Sequence, residues 1–513
     1  MVPSYRQQEY CGVLLSKYDP HLLDTFKLEM SQGIERFFLL SYCLACCWPG
    51  LGAKSDLRVV RQWSELDFVF PSEEAKAIAL ERRYYVPGNS VPIDVDVHHR
   101  QGPYPSRIFV TIPRFDEGRP MTLGTVDEQG KINAYPDYSW NDNQGENCAG
   151  LTSVFRVAID ECQRLWVMDA GKIGDKQVCP PQLLAFDLAS DQLIYRHIVN
   201  ASSYTETSLF ITPVVDIRPR GAGDCANTYV YVADVSAYGL LVVDVMRDRS
   251  WRVTHRLFYP FPSRGTFTID GESFDLMDGV LGMALSPYQH GHDRLLYFHA
   301  LASTTENVVN TRVIRNDSYT ADPNIDADSI YVFPDERTTQ SAAEAMDRNG
   351  ILYFGLMEPP SIWCWNSATE FSPRNFHTVA IDKETLQFAS GIKIVNNAKG
   401  EQELWVLTSS FQRVMTGTIS SDRINYRIHA EKVPIILANS PCNDSPKGQK
   451  HGYHANLINR AGDGHIHRLV PCPIVCSGDS CGITGHMCKL VYYCFIISRS
   501  QAPFIYSVII VAV

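Results

Sequence analysis

Arg164-Leu-Trp-Val-Met-Asp-Ala170 is a short run of bulky residues entered by a basic one and closed by an acid and a small residue. Five other stretches share its run of alternating bulky and aromatic residues, usually entered by a basic or polar residue: Arg107-Ile-Phe-Val-Thr-Ile-Pro113, Thr228-Tyr-Val-Tyr-Val-Ala-Asp234, Arg294-Leu-Leu-Tyr-Phe-His-Ala300, Ile351-Leu-Tyr-Phe-Gly-Leu-Met357 and Glu403-Leu-Trp-Val-Leu-Thr-Ser409. Successive copies start 57, 64, 66, 57 and 52 residues apart, which marks a repeat. β-Branched and aromatic residues in runs of this length read as strands.

The neighbours of each copy repeat as well. A shorter apolar strand and a polar turn precede it, as in Ser153-Val-Phe-Arg-Val-Ala-Ile-Asp160 or Gly282-Met-Ala-Leu-Ser286. A third strand follows, such as Gln182-Leu-Leu-Ala-Phe-Asp187 or Leu240-Leu-Val-Val-Asp244, and often a fourth, Gln192-Leu-Ile-Tyr-Arg-His197 or Trp251-Arg-Val-Thr-His255. Four antiparallel strands per unit, repeated six times, define an all-β fold, the six-bladed β-propeller. Two β-sandwiches would not need a sixfold recurrence. One helix is expected ahead of the blades, over Ser72–Arg82, where Ser72 and two glutamates after Pro71 form an N-terminal capping signature.

The chain of 513 residues carries a formal charge of −11 and no basic run, so nucleic acid is excluded as the main partner. Its 15 cysteines divide into Cys11, Cys43, Cys46 and Cys47 near the start, six between Cys148 and Cys442, and five from Cys472 onward. Met30 opens a stretch with Arg36 before the apolar run Phe37–Trp48 and small residues up to Ala53, which reads as a secretory signal over residues 30–53. Residues 1–29 then read as a gene-model extension upstream of the true start. The tail 443–513 contains two apolar runs split by Arg499 and Pro503, so stable membrane insertion is not expected, and the tail reads as unstructured or foreign to the protein. Cys472-x3-Cys476-x4-Cys481 lacks the paired spacing of structural zinc sites.

Segments distributed over all the blades, among them Phe70-Pro-Ser-Glu-Glu-Ala75, Phe109-Val-Thr-Ile-Pro-Arg114, Gly150-Leu-Thr-Ser-Val-Phe-Arg156, Gly282-Met-Ala-Leu-Ser-Pro287, Cys364-Trp-Asn366 and Leu386-Gln-Phe388, resemble the insect Yellow / major royal jelly protein family. The resemblance runs from about Trp63 to Cys442, the expected bounds of the propeller. It implies a secreted six-bladed propeller acting in cuticle pigmentation and melanin metabolism, in nutritive jelly, or as a salivary binder of biogenic amines. Some family members convert dopachrome.

An exported protein oxidises its thiols, so Cys148, Cys162, Cys179, Cys225, Cys364 and Cys442 are expected to form three disulfides. Six cysteines allow 15 pairings; Cys364 with Cys442 is attractive because it would pin the chain end to a late blade. Asn200, Asn316 and Asn443 begin glycosylation sequons in expected loops.

The mouth of the central channel is the expected small-molecule site. The strand register puts Arg114, Phe115, Asp169, Asp234, Tyr238, Ser303, Glu358 and Phe411 at the ends of second strands, and Glu146, Asp278 and Gln340 in loops that lead into blades. Aromatic rings with carboxylates suit a small aromatic amine or catechol-derived ligand. Each polar residue has a competing role as a turn cap. A general base for dopachrome isomerisation is not marked by any motif. His290 and His292 fall in a turn on the opposite face, and a solvated turn outweighs a metal site there. No metal or cofactor is expected: HExxH, G-x-S-x-G and P-loop motifs are all missing from the sequence.

Overall fold

In the computed structural model, residues 57–444 are described except 101, 143, 220, 222 and 321–328. The expected extension, signal and almost all of the tail, residues 445–513 included, lie outside the described residues. No helix among the described residues is long and apolar enough to cross a membrane.

Six antiparallel sheets form the six blades of a β-propeller. All six quoted runs are second strands: Arg107–Thr111, Arg164–Asp169, Thr228–Asp234, Leu295–Ala300, Ile351–Met357 and Gln402–Ser409. Their near-continuous hydrophobicity follows from coverage on both faces by neighbouring blades. Every residue of Thr228–Asp234 is buried. The fourth strands are half-exposed instead, and Arg249–Thr254 buries Trp251 and Val253 while its other residues face outward to varying degrees.

The core lies between blades. Trp166 and Met168 of blade two pack with Phe210, Val230 and Val232 of blade three. Tyr297 and Phe333 of blade four meet Phe354 and Trp365 of blade five, with Phe333 and Trp365 edge to face at 5.6 Å.

Polar turns opposite the mouth repeat with the blades. Asp160 accepts from the backbone N–H groups of Cys162 and Arg164, Asp347 from those of Asn349 and Ile351, and Asn397 from those of Lys399 and Glu401. A residue with positive φ stands three positions after each acceptor: Gln163, Gly350 and Gly400. An Asp or Asn side chain thus folds the turn locally in three blades, before any contact between blades.

The ring is closed by a strand outside the recurrent pattern. Arg58–Trp63 pairs antiparallel with Tyr426–Lys432 and becomes the outer strand of blade six. Phe68–Val69 adds a short parallel strand to blade one, and the helix Glu73–Glu81 follows, with Ser72 accepting from the N–H of Ala75. A two-stranded hairpin, Thr266–Ile269 with Glu272–Asp275, is inserted between blades three and four.

The six central cysteines form three disulfides. Cys148–Cys179 ties two mouth loops of blade two, Cys162–Cys225 joins turns of blades two and three, and Cys364–Cys442 fastens the segment after blade six to blade five. Asn200, Asn316 and Asn443 all lie outside strands.

Candidate functional site at the channel mouth

Innermost strands begin, and second strands end, on the same face of the ring, which fixes the mouth. Below it the channel is filled by Arg156, on the innermost strand of blade two. Its guanidinium donates to Thr212 Oγ1 at 2.9 Å and to the carbonyls of Ala342 at 3.2 Å and Ser390 at 2.6 Å, with Leu281 O at 3.4 Å. Lys393 reaches Val157 O at 2.6 Å and Asp94 at 3.0 Å. Burial pushes the nearby Asp96 carboxyl up to about 6. Blade two therefore binds the innermost strands around it through one cation, which leaves the upper channel, and not its depth, as the place for a ligand.

A largely buried phenylalanine cluster packs at that upper level. Phe115, from the loop after the second strand of blade one, lies edge to face with Phe155 at 5.4 Å and 6.5 Å from Phe411. Phe411, first residue of the helix Phe411–Thr416, stacks on Phe388 at 4.4 Å and meets Phe274 edge-on at 5.8 Å. Phe274 stacks in turn on Phe267 across the inserted hairpin, at 5.2 Å. The hairpin is held over this cluster by polar ties: Arg413 pairs with Glu272 at 2.8 Å, and Gln340 Nε2 donates to the carbonyls of Arg264 and Thr266 at 2.9 and 2.8 Å.

The structure distributes the candidate residues among distinct jobs. Phe115 and Phe411 share the aromatic cluster. Gln340 anchors the hairpin, and Glu358, which is exposed, accepts from the N–H of Asp270 at 3.2 Å on the same hairpin. Arg114 is buried, and its guanidinium is taken up by carbonyls, including those of Arg119 at 3.1 Å, Asn141 at 2.6 Å and Thr152. Asp169 is fully buried and accepts from the N–H groups of Thr152, Ser153 and Gly171 and from Gln182. Asp234 repeats this in blade three with Ser208, Leu209, Ala237 and Arg252. Ser303 closes a tight turn onto Thr305, and exposed Glu146 accepts from the hydroxyl of Tyr84.

Tyr238 and Asp278 stand apart from these. Tyr238, at φ 55°, packs its ring on Tyr259 at 4.9 Å and donates its hydroxyl to Met277 O at 3.3 Å. Asp278 follows the hairpin and leads into the innermost strand of blade four. Its carboxylate is partly buried and has no hydrogen-bond or ion-pair partner among the described residues. Burial pushes it up to about 6.

Phe155, Phe388, Phe267 and Phe274 were not among the candidates from sequence. Phe155 carried a usable signal, since it lies in the quoted innermost strand of blade two, directly beside Arg156.

A second polar group lies wholly inside the protein. His299, Glu306 and Glu344 bring one potential ligand atom each within 4.8 Å of the others. His299 Nδ1 is 3.1 Å from Glu306 and 3.2 Å from Glu344, while its Nε2 donates to Ser341 O at 3.1 Å. Burial and Arg337 push the imidazole down, but the two glutamates hold it above its ordinary pKa. Arg337 also pairs with Glu306, burial and Glu306 push the Glu344 carboxyl up, and the quartet joins blade four to blade five.

These features define a disulfide-stapled six-bladed β-propeller with a phenylalanine cluster at the level of the mouth and, on the same face, a partly buried carboxylate without a partner among the described residues. A family model described as Major royal jelly protein matches residues 152–442, and the chain belongs to this family, which also takes in the Yellow proteins. Major royal jelly protein 9 of Apis mellifera is 34% identical over 407 residues, covering 76% of this chain and 90% of that one. Dopaminechrome tautomerase of Drosophila melanogaster is 31% identical over 408 residues, covering 77% and 85%. Protein yellow of Drosophila melanogaster is 31% identical over 393 residues, covering 74% and 69%.

Proposed function

We propose that this is an extracellular protein of cuticle pigmentation and melanin metabolism that receives a small aromatic ligand, a catechol- or indole-type amine, at the channel mouth. The observation that carries the reading is the joint presence of the Phe115–Phe155–Phe411–Phe388 cluster and the unpartnered Asp278 on one face. A ring stacks on phenylalanine faces and edges, each such pair being worth roughly 0.5–1.5 kcal/mol. An ammonium group is drawn to a carboxylate that no protein cation already neutralises. Three disulfides suit an oxidising, extracellular setting. Calorimetric titration with dopamine and with serotonin tests it. Saturable heat with either is expected, and no heat with both would leave a structural or nutritive role in its place.

The relative named for dopaminechrome tautomerisation favours a second reading, in which the mouth also isomerises an aminochrome. Aminochrome loss in the presence of the protein, measured against spontaneous decay, tests that reading. Equal rates would sink it.

A further inference from the structure

Resting on that mouth site, we infer that Asp278 is the general base of the protein, taking a carbon-bound proton from an aminochrome held against the phenylalanine cluster. Its backbone is fixed on both sides. Ala302 N donates to Asp278 O at 3.1 Å, Gly279 N to Val235 O at 2.8 Å, and Leu301 N to Gly279 O at 2.9 Å, so tight loops of blades three and four hold the segment. Gly279 fits only because it lacks a Cβ, which would lie 2.7 Å from the Tyr238 ring and 2.4 Å from Phe258 O. The side chain of Asp278 is thus presented from a fixed backbone.

The other buried and partly buried mouth carboxylates among the described residues are occupied, while Asp175, Glu206 and Asp270 are exposed. Asp169 and Asp234 are saturated by backbone and side-chain donors, Glu272 pairs with Arg413, and Glu358 accepts from Asp270 N. Among the charged groups on neighbouring elements, Arg264 pairs with Glu336 at 3.2 Å and Asp275 accepts from Thr266 at 2.7 Å. Tyr238 and Tyr259 are the titratable rings nearby. With burial alone acting on it, a carboxyl titrating at about 6 is mostly ionised at neutral pH, and is a stronger base than an ordinary aspartate.

The chemistry balances without an oxidant. Conversion of an aminochrome to its dihydroxyindole isomer breaks two C–H bonds on the saturated ring carbons and forms two O–H bonds at the quinone oxygens. Each proton leaves carbon for the carboxylate, the C–H electron pair stays in the ring system, and the carboxyl or water returns a proton to oxygen.

The test compares wild type with Asp278→Asn, using aminochrome decay for turnover and calorimetry with 5-hydroxyindole, a neutral probe that needs no counter-ion. The expected result is a loss of accelerated decay of about 100-fold or more, with 5-hydroxyindole still bound by both proteins. Turnover unchanged in Asp278→Asn overturns the inference. Binding by wild type without accelerated decay overturns it while leaving the mouth site standing, whereas absence of both removes the site itself. The wild-type pH profile is a second measure that does not depend on the variant folding. The rate should rise through about pH 6 and level off above it, and a flat profile between roughly pH 5 and 8 overturns the assignment.

Discussion

Arg156 Nη2 donates to the carbonyl oxygen of Ser390 at 2.6 Å across the central channel, joining the innermost strands of blades two and six. The same guanidinium reaches blades three, four and five, so one side chain from blade two ties four other blades together at the axis. Arg156→Met keeps an unbranched apolar stem but leaves these carbonyls without a donor. A hydrogen bond to a buried charged group contributes about 1.5–3 kcal/mol, so the variant should lose roughly 2–3 kcal/mol once relief of the buried charge is allowed for. Urea unfolding checks this, and an unchanged midpoint would mean that the carbonyls find other donors.

The disulfide Cys364–Cys442 closes 78 residues of chain. On the chain-entropy account, a loop of that length stabilises by about 4 kcal/mol. Replacing both cysteines by serine should lower the thermal midpoint, and reductant should then have a smaller further effect on the variant than on wild type. An equal shift with reductant in both proteins would place the redox-sensitive stability in the other two bridges.

His429 is buried, with Nε2 donating to Thr385 O at 3.0 Å and Nδ1 unpartnered. Burial lowers its pKa to about 4. Above the ordinary histidine value, near 6.5, both folded and unfolded states are neutral and nothing changes. As pH falls from there toward 4, the unfolded chain takes a proton that the folded chain refuses, and stability drops by up to about 3 kcal/mol. Asp96 acts in the opposite direction, because its folded carboxyl stays protonated to about 6; its contribution is complete at low pH and is lost as pH rises. His429→Gln isolates the histidine. Its stability difference from wild type should move in the variant's favour by up to that amount between pH 7 and pH 4.5, measured by denaturant unfolding.

Gln340→Ala removes two hydrogen bonds that hold the inserted hairpin by the carbonyls of Arg264 and Thr266. Faster amide exchange is expected over residues 266–275, with the second strands of the blades unchanged and a global loss of about 1 kcal/mol. Acceleration spread evenly over the blades would show that the hairpin does not open by itself.

The blades were legible because their second strands are covered on both faces, which forces continuous bulky sequence in all six. Arg58–Trp63 was not, since an outer strand with two arginines and a glutamine has only one buried edge to write into its sequence. The hairpin Thr266–Asp275 escaped for a related reason: its buried residues, Phe267, Ile269 and Phe274, lie on strands of four residues, too short to establish a period. At the mouth, positions were readable and jobs were not. Asp169 ends a second strand and Asp278 leads into an innermost one, both on the mouth face, yet one is saturated by backbone donors and the other has none, and that difference arises from loop geometry that only the folded ring displays.

The outer strand of blade six has a consequence for synthesis. Arg58 and its ion-pair partner Glu431 are 373 positions apart, so at roughly 5–20 residues per second the early strand waits on the order of 20–75 s for its neighbour to be made. During that interval the nascent chain carries two unpaired strand edges, the kind of surface on which other chains add. A message that stops short of Tyr426 yields an open arc of blades and never a ring, which makes the last part of translation the step at which this protein becomes safe from its own copies.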